Sequence, residues 1–468
     1  MEQDNIVHQN RSKNFIKAIG LYAIGNLGSR LITFLMVPMY TYFVNPADLG
    51  LYDISLSLII AFIPIMTLQL RDGAFRFLIN NDNVLEKKNV VSFVCKELLL
   101  STLVVVVTSV LLHYMFSPLY LMEIILLLLV MAYYEVLAQV ARAIGGAAVF
   151  ANSSLICSFG IGVFSLVFVY IFECGLSGIF IANIMARVAA LLYVIIKVRL
   201  NKYFSISDNI QLRKNILKYV LPLLPGALCW CLLDCCGRVF IERKLGLEAS
   251  GLFAVSVRFS SIIYTFAIIF IQAWQETAIV NYKTKDKDRF FSEIFNAFIY
   301  YVSFIIVMLN FGLKLNYGWI VDSAYKESLV YIYPLTIGVG FCVFSHFLDL
   351  GYQCSKETKR ALPSLVCALV VNVVFNAIFI EVLRIWAPII ANILSFVTMS
   401  IYRFYDVKKY FRLCLSKSSV LVALILVISM LSFYIIKDTY IDILYILCLT
   451  VVYIMILPDT LKKKLKIK

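Results

Sequence analysis

Fourteen apolar stretches of membrane-spanning length divide this chain, and lysine and arginine gather in every second gap between them. A bilayer's hydrocarbon core is about 30 Å thick, so a helix needs roughly 20 mostly apolar residues to cross it. The spans are read near residues 15–40, 49–70, 91–113, 119–141, 149–172, 176–198, 217–240, 249–274, 290–313, 328–352, 361–381, 385–405, 418–436 and 441–457. The fold class expected is an all-α polytopic membrane protein with 14 transmembrane helices. Cationic side chains resist translocation, so the gaps that hold them stay cytoplasmic. One set of alternate gaps, with the two tails, holds 31 lysines and arginines, among them Arg71, Arg76, Lys214, Lys285, Arg403 and Lys409. The other set holds 6, namely Arg243, Lys244, Lys314, Lys326, Arg384 and Lys437. This asymmetry predicts that both termini are cytoplasmic.

Hydrophobic residues make up 62% of the chain and charged residues only 15%, a balance no soluble core requires. The net charge of +14 follows from orientation, and with no basic soluble domain to carry it nucleic-acid binding is not expected. The longest loops, near 71–90, 199–216 and 275–289, are cytoplasmic, and the outer gaps leave no room for a soluble catalytic domain. No phosphate-cradling glycine loop, Walker lysine or paired-histidine metal motif occurs, so no ATP-driven pump and no cofactor are expected. Most of the twelve cysteines lie in apolar spans, where they act as small polarizable hydrophobes. Cys229, Cys231, Cys235 and Cys236 cluster without CxxC spacing or a nearby histidine, so neither a disulfide framework nor a metal site is expected. The polar, mixed-charge segment Met1–Lys13 does not read as a removable signal peptide.

An internal repeat is visible. Gly50-Leu51-Tyr52-Asp53 is matched by Gly251-Leu252-Phe253-Ala254 at an offset of 201. Ser154-Leu155-Ile156-Cys157 is matched by Ser364-Leu365-Val366-Cys367 at 210, and Ile181-Ala182-Asn183-Ile184 by Ile390-Ala391-Asn392-Ile393 at 209. Three matches in order imply two six-helix halves. Six is even, so both halves start on the same side and the repeat is parallel, its axis along the membrane normal. The expected domains are an N-lobe over 1–214, a C-lobe over 215–405, and two added helices with a basic tail over 406–468.

Charge inside the membrane is the informative residue class, because each such group costs on the order of 2.5–3.5 kcal/mol on insertion scales and usually faces a bundle interior or watery cavity. The set is biased to arginine: Arg30 in span one, Arg187 in span six, Arg238 in span seven and Arg258 in span eight, with Arg142 at the cytoplasmic end of span four. A guanidinium stays charged and grips phosphate two oxygens at a time. These five are the candidate substrate-binding residues, in a cavity suited to a polyanionic head group. For Arg238 a structural ion pair competes, because Asp234 and Glu242 lie four residues away on its own helix face. Neither Arg30 nor Arg258 has an acid at those spacings. Asp349 with His346, and Glu135 in the stripe Glu135, Gln139, Arg142, are the candidate ion-coupling groups, with an interhelical hydrogen bond as the alternative for each.

Several of these residues sit in recognisable motifs. Val37-Pro38-Met39-Tyr40-Thr41-Tyr42-Phe43 followed by Asn45-Pro46-Ala47-Asp48-Leu49-Gly50-Leu51-Tyr52 resembles the first-loop signature of bacterial polysaccharide-biosynthesis flippases of the Wzx type. Asp72-Gly73-Ala74-Phe75-Arg76-Phe77, Ala141-Arg142-Ala143-Ile144-Gly145, Lys218-Tyr219-Val220-Leu221-Pro222-Leu223-Leu224-Pro225 and Gln272-Ala273-Trp274-Gln275 resemble later landmarks of the same family. The resemblance covers about residues 15 to 405. It departs at Cys236-Gly237-Arg238, where the family often has Asp before the Arg.

The resemblance implies two six-helix lobes around a central cavity, in the superfamily that includes multidrug extruders and lipid II flippases. It implies that a non-enzyme of the bacterial cytoplasmic membrane moves an undecaprenyl-pyrophosphate-linked oligosaccharide by alternating access, for O-antigen, capsule or similar surface glycan. Its partners would be that lipid-linked substrate, membrane lipid, and a polysaccharide polymerase and chain-length regulator. Two other readings stay open. A multidrug extruder would favour an acidic cavity, whereas span one carries Arg30 and no carboxylate. A membrane polymerase or ligase would need a sizeable outer loop, which is absent from the sequence pattern.

Overall fold

A computed structural model describes residues 35–79, 83–116, 120–203, 210–282, 284, 286–355, 357–436 and 438–456. Span one lies mostly outside the described residues, and so does Arg30. The described part of that span is α1 over 35–43. It is followed by α2 (Pro46–Thr67), α3 (Leu70–Leu78), α4 (Val84–Phe116), α5 (Leu121–Gly145), α6 (Ala147–Ser165) and α7 (Gly175–Val198). Next come α8 (Ile210–Val220), α9 (Leu224–Leu245), α10 (Leu247–Asn281), α11 (Lys287–Ile320) and α12 (Leu329–Ser355). The last four are α13 (Ala361–Leu383), α14 (Trp386–Asp406), α15 (Lys417–Ile435) and α16 (Thr439–Ile456). Among the described residues no strand occurs, and twelve helical segments are long and apolar enough to cross a membrane. The shorter apolar helix Tyr440–Tyr453 adds to these. Large apolar side chains on their outward faces, such as Leu99, Leu103, Val107 and Leu111 of α4, are exposed. Such surface is stable only against acyl chains. The chain is a multi-pass all-α membrane protein.

Packing divides the described residues into two compact units, 35–242 and 243–456. In the first, α2 and α7 both pack on α5, and α6 packs on α7. In the second, α10 and α14 both pack on α12, and α13 packs on α14. Spans two, four, five and six are thus paired within their unit in the same way as spans eight, ten, eleven and twelve, as an internal repeat requires. Small residues permit the close approach: a Cβ added at Gly160 of α6 would lie 3.0 Å from the Ala186 Cβ of α7. The packing division falls near the end of α9, so α8 and α9 lie with the first unit.

Local sequence sets the corner that positions the first unit's polar residues. Asn45 caps α2 by accepting from the Asp48 N–H at 2.7 Å, with Pro46 in the first turn. The helix ends where Leu68 (φ 48°) and Gln69 (φ 55°) both adopt the left-handed conformation. Two consecutive non-glycine residues there store strain, and they turn the chain straight into α3. Gly73 of α3 then meets α8 so closely that a Cβ would fall 2.5 Å from Val220 Cγ1.

The two added helices are fastened to the second unit. Asp288, Ser292 and Asn296, one turn apart on α11, bind the incoming segment: the Arg412 N–H reaches Asp288 at 3.1 Å, the Cys414 N–H reaches Ser292 at 3.0 Å, and the Ser416 N–H reaches Asn296 at 2.9 Å. Farther along α11, Lys314 donates to Asp442 at 2.9 Å and to the Ile436 carbonyl at 2.6 Å. Lys314, expected in an extracytoplasmic gap, is the cation of a buried pair whose Asp442 is 3% exposed.

Candidate functional site

Three groups of charge lie inside the first unit. The tightest is on α9. Arg238 donates from Nε to Asp53 of α2 at 2.6 Å and from Nη1 to the Asp234 carboxylate at 3.1 Å. The Arg238 and Asp53 side chains are 8% and 9% exposed. Of the two acids expected on its own helix, Asp234 is taken up, and the stronger partner is Asp53, a buried acid within span two that the sequence reading passed over. With two carboxylates on one guanidinium, this group has no charge left for an anionic ligand.

The second group is built on α3. Arg71 Nη1 lies 3.5 Å from Glu135 of α5, and its Nε lies 3.6 Å from Asp72. Gln69 donates to Asp72 at 3.3 Å. Arg71 was assigned to a cytoplasmic gap, one residue past the end of span two. The strained corner at Leu68–Gln69 leads into α3, which packs on α5 and brings this arginine to Glu135.

The third is Arg187 on α7. Its Nη1 donates to the Asn183 side-chain oxygen at 2.8 Å and to the Asn183 carbonyl at 3.1 Å. Asn183 is itself fixed, since its Nδ2 donates to the Ile179 carbonyl at 2.9 Å. No carboxylate among the described residues lies within ion-pair distance of Arg187, and its Nε and Nη2 make no hydrogen bond there. The side chain is half-buried. The matching asparagine of the second unit does something else: Asn392 accepts from Asn372 at 2.9 Å, and no arginine sits one turn on. Arg142 is exposed at the end of α5, its guanidinium 4.8 Å from the Phe75 ring and 5.5 Å from that of Phe150.

In the second unit the chief group is Arg403 on α14. It is 1% exposed and donates to the Ser364 hydroxyl at 2.9 Å and the Ser345 carbonyl at 2.9 Å, with Asp349 of α12 at 3.3 Å. Gln353 donates to Asp349 at 3.0 Å and accepts from Gln275 at 2.7 Å, so the i+4 contact read from the sequence forms. His346 faces the same pair and lies edge-on to Tyr264, ring centroids 5.7 Å apart. Arg403, counted among the loop cations although it falls inside span twelve, is buried in the helix packing. Arg258 of α10 is half-buried and is not without a partner.

Among the described residues, no three His, Cys, Asp or Glu side chains are grouped to hold a metal ion, and all twelve cysteines are free.

No family model matches the chain and no curated protein matches its sequence. Its fold is similar to that of the lipid II flippase MurJ in an inward closed conformation, with a TM-score of 0.69 at 15% identity over 95% of this chain and 99% of that one. An inward-facing multidrug resistance MATE family transporter of the MOP superfamily gives 0.67 at 13% identity, over 81% and 95%. A MOP superfamily transporter from Pyrococcus furiosus, described by the reverse polarity of its binding pocket, gives 0.53 at 15% identity, over 86% and 96%. The fold of this membrane protein is similar to that of these solved flippase and transporter structures.

Proposed function

We propose that the chain is a flippase that moves an undecaprenyl-pyrophosphate-linked oligosaccharide across the bacterial cytoplasmic membrane for surface polysaccharide assembly. The fold is that of solved flippases and transporters, and the motif resemblance narrows the choice among them. The observation that carries the reading is Arg187. A guanidinium in a membrane span, aimed by Asn183 through one nitrogen and with two donor nitrogens making no hydrogen bond among the described residues, is suited to receive a phosphate oxygen pair. Arg258, and Arg30 outside the described residues, are proposed to act with it, and Arg142 to receive substrate at the cytoplasmic end of α5. Arg238 drops to a structural role in this reading, since Asp53 and Asp234 neutralise it. Asp349 and His346 are proposed as an ion-responsive pair held by Arg403. The lobes 1–214 and 215–405 would alternate access to the two membrane faces, with 406–468 as an appendage and both termini cytoplasmic.

Extrusion of cationic drugs is the second reading. It is favoured by the four carboxylates Asp53, Asp72, Glu135 and Asp234 in the first unit. Two of them are committed to Arg238 and the other two lie against Arg71, which weakens the attraction for a free cation.

The test is reconstitution in proteoliposomes with a fluorescent undecaprenyl-pyrophosphate oligosaccharide, scored by access of an impermeant quencher. Wild type should translocate the lipid, Arg187→Lys should retain part of the rate, and Arg187→Ala should lose it. Drug efflux without lipid movement would establish the second reading instead.

A further inference from the structure

One face of α10 in the second unit is polar along most of its length. Arg258, Ser261, Thr265, Gln272 and Gln275 recur at spacings of three, four, seven and three. That keeps them within about 100° of one another around the helix axis, over about 25 Å of its length. Ser261 is exposed and the other four are half-buried. The opposite face carries Phe259, Ile263, Ala267 and Trp274, each at most 1% exposed. The neighbouring α12 adds a second polar row, His346, Asp349 and Gln353, at spacings of three and four. Two contacts join the rows: Gln275 donates to Gln353 at 2.7 Å, and Tyr264 lies edge-on to His346. Hydroxyls, amides and a carboxylate lined up in this way do not face acyl chains, so the strip borders an aqueous space within the membrane.

The hydrogen bonds fix what this strip can bind. An ionised carboxylate only accepts, so Gln353 turns its NH2 to Asp349, at 3.0 Å, and its oxygen to Gln275. Gln275 answers with its NH2, and its own Oε1 takes part in no hydrogen bond among the described residues. Ser261 donates its proton to the Arg258 carbonyl at 2.7 Å, which leaves the hydroxyl oxygen as an acceptor. Asp349 has two donors, Gln353 and Arg403, of the roughly four a carboxylate accepts. The strip thus offers acceptors. Its acid is already met by Arg403, 1% exposed, at 3.3 Å, which weakens the attraction for a cation. A neutral ligand rich in O–H donors fits, and that is the chemistry of a sugar. We propose that this strip seats the glycan of the lipid-linked substrate, with Gln275, Gln353 and Asp349 selecting the sugar. This rests on the reading of the chain as a flippase of lipid-linked oligosaccharide. Every such lipid carries the same pyrophosphate, so arginines that hold it cannot tell one glycan from another. A site built to hydrogen-bond substrate hydroxyls can, because a ligand without them leaves its polar groups unpaired.

The test titrates the full-length protein in nanodiscs with two probes. One is the undecaprenyl-pyrophosphate oligosaccharide extracted from the cells that make this protein; the other is bare undecaprenyl pyrophosphate. Wild type should bind the glycosylated lipid more tightly. Gln275→Leu removes an amide at the junction of the two rows, and Ser261→Ala removes an acceptor at an exposed position where misfolding is not a concern. Each should weaken binding of the glycosylated lipid by about two- to tenfold, the loss of one neutral hydrogen bond, and so narrow the ratio between the two affinities. Binding of the bare lipid reports that each variant is folded. Equal affinity of wild type for the two lipids would overturn the proposal. So would variants that weaken both lipids to the same degree, or neither. Binding of neither lipid by wild type would instead sink the flippase reading on which the proposal stands.

Discussion

Replacing Asp53 with Ala isolates the tightest ion pair in the first unit. Arg238 is buried with it, at 8% and 9% exposure, across a 2.6 Å bond between α2 and α9. Asp234, the remaining partner, is 58% exposed and holds only the far nitrogen at 3.1 Å. Removing one partner of a buried pair costs about 3–5 kcal/mol, because the other charge stays desolvated. Removing an exposed partner costs about 0–1 kcal/mol. Asp53→Ala should therefore destabilise the protein by several kcal/mol, and Asp234→Ala by a small fraction of that. Replacing both buried charges, as Asp53→Leu with Arg238→Met, should recover most of the loss, since a well-packed apolar pair of similar volume is tolerated. Unfolding by SDS titration in mixed micelles, followed by tryptophan fluorescence, measures the three free energies. If Asp53→Ala costs no more than Asp234→Ala, the pair is not structural and Arg238 returns to the list of substrate-binding candidates.

Gly73→Ala should cost about 1–3 kcal/mol by overpacking against Val220 at 2.5 Å, and Val220→Ala in the same chain should relieve it in thermal unfolding. Lys314→Met leaves Asp442, 3% exposed, without its cation, so α15 and α16 should loosen and become protease-sensitive; Lys314→Met with Asp442→Leu should be tolerated. In a cysteine-free background, cysteines at positions 214 and 409 should be labelled only from the cytoplasmic side and those at 45 and 173 only from outside. Reproducible outside labelling at 214 would refute the orientation drawn from the charge asymmetry.

The sequence by itself determined the solvent and where most of the spanning helices lie. Twenty apolar residues in a row allow little besides a spanning helix, so the spans were readable from hydropathy alone. The repeat was legible for a related reason: the Asn183 and Asn392 motifs lie on α7 and α14, and the helices around them pack in the same pairs. The i+4 contact of Gln353 with Asp349 was likewise local, set by helix geometry. What lies between helices was not legible. Arg71 and Arg403 read as loop cations because they lie at the ends of their spans, and only the turn at Leu68–Gln69 and the packing of α14 on α12 bring them to Glu135 and Asp349. Asp53 and Arg238, 185 residues apart, could be joined only by tertiary structure. A charge in the membrane announces that it must have a partner, because its desolvation is costly. Which partner, and whether the bond is closed like Arg238 to Asp53 or open like Arg187, depends on helix rotation and distance, which hydropathy and spacing do not encode.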